Sequence, residues 1–277
     1  MTGTSPFPSP TRRVALRLDD VGASSKRYEV YSNRHWRWGP LRVSGNWLFL
    51  KYLPGWKACG PYRELRAEEW YEVFDVLDAA SARMTVAVTA SWADRSDKVT
   101  PFPVRFPGQA KALGEGVRRG LVEIANHGLT HCVLEGDRFH PHWFESNRRY
   151  HREFWDWVPP DVQEHHIRRS QEILQDCFDV PVVTFVPPGN VCSSETLAIA
   201  RRFGIRYVSC NAPPASPDGV IAIGNEDVLP FHDRDIVLHG VAWLRDLIAR
   251  QNGAQCCAVA DLALCSASTG GGLCFPG

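Results

Sequence analysis

LVEIANHGLTH, residues 121–131, is the stretch from which the rest of the chain can be read. It opens as a short apolar run, Leu121 to Ala125, directly after a segment from Gln109 to Gly120 that ends on glycine as helices do. A helix therefore feeds a strand, and the strand runs out into His127 and His131. Imidazoles four positions apart face the same way where the backbone turns helically, so both reach one ion. The same spacing also fits two neighbouring surface histidines in a chain with 10 His. A zinc-protease helix spaces its histidines likewise but carries Glu right after the first. Gly128 stands there, so that reading lacks its general base.

The helix-then-strand unit recurs on both sides. Residues 67–80 place Trp70, Phe74 and Leu77 at helical spacing, and the β-branched run 84–90 follows. A helix over 160–178 leads into Pro181 to Val186, and a helix from Ser194 to Phe203, closed by Gly204, leads into Ile205 to Ser209. This alternation predicts an α/β fold with a parallel sheet and helices outside. Near the start, the strand-like run Val14 to Leu18 ends in Asp19-Asp20-Val21-Gly22. Adjacent carboxylates repel unless a cation lies by them, and a turn at Gly22 is expected to bring both into one cleft. The polar candidates then all lie at or beyond strand C-termini, where barrel enzymes keep their chemistry.

Four segments together resemble the motifs of the polysaccharide deacetylase family, carbohydrate esterase family 4. Leu18-Asp19-Asp20-Val21-Gly22 is similar to the first, Thr-Phe-Asp-Asp-Gly, with one residue inserted. His127 to His131 is similar to the second, His-Ser/Thr-x-x-His, with Gly128 at the hydroxyl position. Phe185-Val186-Pro187-Pro188-Gly189 is similar to the third, and Ile236-Val237-Leu238-His239 to the last, an apolar strand ending in histidine. The resemblance implies an irregular, seven-stranded (β/α) barrel that hydrolyses amide bonds with Zn or another divalent transition metal. By resemblance, Asp20, His127 and His131 hold the metal, Asp19 is the catalytic base and His239 the acid, and Gly189 with Asn190 forms the substrate or oxyanion contact. The family's third motif carries an Arg that orients the base, but Val186 occupies that place. Arg17 lies two residues before Asp19 and so on the same strand face; it, or Asn190, is expected to orient the base instead.

Composition limits the partners. Lys plus Arg and Asp plus Glu both number 31, so no overall field draws the chain to nucleic acid, and no apolar run is long enough to span a membrane. Nine scattered cysteines without Cys-x-x-Cys spacing read as reduced thiols, and the Pro- and Ser-containing start, without an apolar signal run, reads as that of a cytoplasmic protein. The expected organisation is a disordered lead over 1–13, a catalytic domain over 14–250 with insertions at 23–63 and 132–160, and a tail of uncertain order over 251–277. The first insertion, with Trp36, Trp38, Trp47 and Trp56, suits either sugar contact or a buried flap. The second, long and aromatic, is expected to form a lid or a packed surface excursion. The preferred substrate is a carbohydrate, an acetylamino sugar used in surface-polysaccharide biosynthesis. An amidase for non-sugar amides and a catalytically degenerate carbohydrate-binding module remain as alternatives.

Overall fold

The computed structural model describes residues 12–27, 35–45, 47, 50, 53, 63–94, 98–133 and 152–269. In chain order the elements are β1 (Arg13–Val21), β2 (His35–Trp38), β3 (Leu41–Ser44), α1 (Ala67–Ala79), β4 (Met84–Val88), β5 (Ser91–Ala93), β6 (Val99–Pro101), α2 (Phe102–Arg105), α3 (Pro107–Arg118) and β7 (Val122–Asn126). They continue as α4 (Pro160–Phe178), β8 (Thr184–Phe185), α5 (Ser194–Arg202), β9 (Tyr207–Ser209), β10 (Ile221–Ile223), β11 (Val228–His232), α6 (Asp233–His239), α7 (Val241–Ala249), β12 (Gln255–Cys257) and α8 (Val259–Thr269).

Seven strands pair in the order β10-β9-β8-β7-β4-β1-β11, every pair parallel. With β10 and β11 at the two ends of that order, this is an irregular, open (β/α) barrel. Strands β1, β4 and β7 lie side by side and are largely buried and apolar, so they anchor the rest. On one side Trp70, Phe74 and Leu77 of α1 join Leu113 of α3, Leu174 of α4 and Leu244 of α7 in a single core. On the other, Ile167 of α4 packs with Leu197 and Ile199 of α5 against Phe185 and Val208. The helix starts are chemically marked. Glu69 accepts the Arg66 N–H at 2.8 Å ahead of α1, and Ser193 and Thr196 bond each other's backbone N–H at 3.1 Å ahead of α5.

One expectation needs correction here. Ile236 to Leu238 do not form a strand ending in His239; they belong to α6, and His239 is exposed in its last turn. The reason was legible: Asp233 and Asp235 sit in the first turn, where the helix dipole favours acids, and Gly240, at φ +77°, ends the helix. The strand that does end in histidine is β11, closing on His232. Pro230 disguises it, and is tolerated because β11 is an edge strand bonded to β1.

The expected tail over 251–277 is described as far as Thr269. Gln255–Cys257 pair with Arg13 to Ala15 of β1, and α8 docks by its N-terminus, Val259 N–H donating to Thr85 Oγ1 (2.8 Å) and Ala260 N–H to Glu123 Oε2 (3.2 Å). The expected lead lies largely outside the described residues, as do Trp56 and residues 134–151 of the expected lid. Cys132, Cys177, Cys192, Cys210, Cys256 and Cys257 are free thiols.

Candidate metal centre and its flanks

The C-terminal ends of β1, β7, β8, β9 and β11 converge, and polar side chains at or just beyond them meet: Asp19 and Asp20 on β1, His127 and His131 after β7, Asn190 after β8, Ser209 on β9 and His232 on β11. Strand β1 does so through a bulge. Its register against β4 runs Leu18↔Val86 and then Val21↔Val88, three residues against two, and Asp20 takes φ +72°. A bulge re-aims side chains within a strand. The bulge, followed by a turn in which Gly22 takes φ +76° and Ala23 N–H donates to the Asp20 carbonyl at 3.1 Å, lets consecutive Asp19 and Asp20 both enter the cleft.

Asp20 Oδ1 lies 3.2 Å from His127 Nε2 and 3.2 Å from His131 Nε2, and one donor atom from each of the three residues lies within 4.8 Å of the others. All three side chains are buried. The histidines do not meet through a helix, as the spacing suggested. The loop bends instead, with Gly128 at φ +79° and His131 at φ +61°. His127 Nδ1 donates to the Val186 carbonyl at 2.6 Å, so Nε2 keeps its lone pair and turns it toward Asp20. His131 Nδ1 pairs with the Ser25 hydroxyl at 3.1 Å, and its Nε2 likewise faces Asp20. Burial opposes ionisation of Asp20, yet the charge on His232 and the close approach of the His127 and His131 rings hold its carboxyl well below the usual range.

One carboxylate oxygen and two imidazole nitrogens turned toward it fit zinc or another divalent transition metal. Two of the three residues hold left-handed backbone, which costs of order 1–3 kcal/mol each and persists where surrounding structure enforces it.

Asp19 is held from the other side. Arg17 Nε and Nη2 donate to its two carboxylate oxygens at 3.0 Å each, a bidentate pair. The guanidinium also donates to Asn190 Oδ1 and Ser209 Oγ, both at 3.0 Å. Arg17 and Asn190, expected as alternatives, therefore act together. Asn190 is committed to Arg17, toward which its side chain turns, and its backbone N–H donates to the Pro187 carbonyl at 2.9 Å. Gly189 is exposed, at φ +66°, against the Arg152 side chain.

His232, which the motif comparison passed over, stands where His239 was expected. Its Nε2 is 3.7 Å from Asp20 Oδ2, and its Nδ1 is 3.8 Å from Asp235 Oδ2. Burial works against its charge, but the Asp20 carboxylate and the Asp235 hydrogen bond raise its pKa to about 9. His239 lies two helical turns further on and exposed, so its assignment as the acid does not stand. Lys26, Glu64 and Asp233 were also missed. The buried Lys26 ammonium pairs with Glu64 Oε1 at 2.6 Å and with Asp233.

The polysaccharide deacetylase family model matches residues 60–208, more than half of the chain. The chain belongs to the polysaccharide deacetylase family. No curated protein matches it. Solved structures similar to this family member include a putative polysaccharide deacetylase from Mycobacterium smegmatis, at 16% identity over 76% of this chain and 81% of that one, with a TM-score of 0.49. The BpsB deacetylase domain from Bordetella bronchiseptica is 16% identical over 81% of this chain and 99% of that one, with a TM-score of 0.45. A mutant of BA3943, a family 4 pseudoenzyme from Bacillus anthracis with restored activity, is 13% identical over 72% of this chain, with a TM-score of 0.46. This chain spans 63% of that protein's length. Among the described residues no helix is long and apolar enough to cross a membrane.

Proposed function

We propose that this chain is a metal-dependent N-deacetylase that removes acetate from an acetylamino sugar of a polysaccharide or its precursor. The observation that carries the reading is the meeting of Asp20, His127 and His131 beside a second carboxylate, Asp19, that is held by Arg17 and not by the imidazoles. A divalent ion held by Asp20, His127 and His131 would supply a Lewis acid to polarise the amide carbonyl and acidify water. Asp19 takes the proton of the attacking water at a carboxylate oxygen. Arg17, bonded to both oxygens, fixes the orientation of that carboxylate. His232, whose Nε2 lies 3.7 Å from Asp20 Oδ2, donates a proton to the departing sugar amine. The Gly189 N–H is assigned to the developing oxyanion. Carbohydrate as the substrate class is supported by the family, and by Trp36 and Trp38 on the β2–β3 hairpin, exposed and stacked with centroids 5.8 Å apart.

The test is acetate release from a panel of N-acetylated amino-sugar oligomers and nucleotide- or lipid-linked sugars, with non-sugar amides alongside. The His232→Gln protein is expected to lose about 100-fold or more in turnover, while His239→Gln turns over like the wild type. The reverse ranking refutes the acid assignment. Stoichiometric metal with no hydrolysis of any amide would instead favour a binding module.

A further inference from the structure

The position that carries a hydroxyl residue in the family motif is Gly128 here, and another group fills the space. A Cβ added at Gly128 would lie 1.9 Å from Glu153 Oε2 and 3.0 Å from Pro188 Cγ. Glu153 is wholly buried, on the stretch just ahead of α4. Its Oε1 accepts the backbone N–H of Leu129 at 3.2 Å and of Thr130 at 3.0 Å, and its Oε2 accepts that of His131 at 3.0 Å. Three successive amides converging on one anion form a nest, a backbone arrangement that favours negative charge. The fourth amide of the loop, Gly128 N–H, donates to Asn126 Oδ1 at 2.8 Å. Every backbone donor from Gly128 to His131 is thus met by a side chain, and none by a neighbouring strand or helix.

Both acceptors are fixed by one face of α4. His166 Nδ1 donates to Glu153 Oε1 at 2.7 Å, while Ser170 and Gln171 receive the Asn126 amide at 2.7 and 3.0 Å. His166 and Ser170 stand one turn apart, so the same stripe of the helix grips the loop twice. The consequence falls on His131. Its left-handed backbone is costly for a residue with a Cβ, and the charge-assisted bond to Glu153 offsets that cost at the residue itself.

We infer that Glu153, held by His166, is the positioning residue for the ligand pair: its carboxylate fixes the loop so that His131 Nε2 faces Asp20. Gly128 follows from this, because any side chain there would displace the carboxylate. The inference rests on the metal-site reading above, and the experiment separates the two. The probe is cobalt(II) titration of the metal-stripped protein, followed by visible absorption, with circular dichroism confirming the fold of each variant. Wild type is expected to bind one cobalt with the absorption of a low-coordinate nitrogen and oxygen site. Glu153→Gln keeps the volume but places an N–H₂ or an uncharged oxygen against the amides. It is expected to bind about 10- to 100-fold more weakly, with a shifted band. His166→Phe, which leaves the carboxylate without its imidazole partner, is expected to lose less, under about tenfold. Should Glu153→Gln fail to fold, His166→Phe carries the test. Wild-type affinity and an unchanged band in either folded variant overturn the inference alone. No cobalt binding by the wild type overturns the metal-site reading and the inference with it.

Discussion

The two flanks of Asp20 bury charge in opposite ways. Toward β8 and β9, Arg17 meets one carboxylate, Asp19, in a bidentate pair, and its remaining donors end on Asn190 and Ser209. The cation and anion cancel, and most of the guanidinium's hydrogen-bonding capacity is met. Toward β11, Lys26 lies between two carboxylates, Glu64 and Asp233, with Asp20 near by. That side carries one acid too many. Burial and the neighbouring carboxylates push Asp233 well above the usual range, and its Oδ1 has no hydrogen-bond partner among the described residues. The Lys26 ammonium is held charged by the two acids despite its burial. A balanced pair holds both oxygens of Asp19 in place, while the over-acidic cluster pushes the Asp233 carboxyl up beside His232.

This contrast can be broken at its strongest point first. Asp19→Asn leaves Arg17 a neutral partner and is expected to cut turnover by about 10²- to 10⁴-fold, with cobalt or zinc stoichiometry unchanged. Metal loss together with turnover would show that Asp19 is a ligand and not the base. Arg17→Met strands a buried carboxylate and is expected to lower stability by about 3–5 kcal/mol, read from urea denaturation. Asp233→Asn sharpens the comparison. Removing the surplus acid should cost at most about 1 kcal/mol, because it relieves repulsion as well as breaking a bond to Lys26. An Asp233→Asn loss as large as that of Arg17→Met would mean that the two flanks are energetically alike.

A surface pair sets the lower end of the scale. Glu69, at the start of α1, accepts from Arg63 and Arg66, and these bonds outweigh its modest burial and lower its pKa to about 2. Its folded-state value lies below the unfolded one near about 4.3, so the stability it adds is fully present above that range and is lost as pH falls toward about 2. With the arginines largely exposed, solvent screening keeps the effect of Glu69→Gln to about 1 kcal/mol or less at about pH 7, shrinking further in acid. Urea midpoints of the two proteins should converge between about pH 4 and about pH 2.

Much of the scaffold was legible in local pattern. The four helices over 67–80, 109–120, 160–178 and 194–203 reappear as α1, α3, α4 and α5, because each combines an apolar stripe with a marked start or stop. Arg17 opposite Asp19 followed from the two-residue period of a strand. The reading failed where one residue type carries two meanings. Proline is excluded from central strands yet accepted at an edge, as Pro230 of β11 is; Ile236 to Leu238 looked like a strand, but the acids and glycine around them mark a short helix.

By itself, the sequence determined which segments turn into helices and strands, and hence that Asp19, Asp20 and the histidine pair would stand at strand ends of a parallel sheet. The bulge that swings Asp20 beside Asp19, the placing of His232 and not His239 next to Asp20, and the Glu153 carboxylate beneath the histidine loop were decided by the tertiary structure alone. Periodicity is a property of neighbours along the chain. A positive φ held by bonds from a distant segment, or a carboxylate seated in another loop's amides, exists only once residues far apart in the chain have packed together.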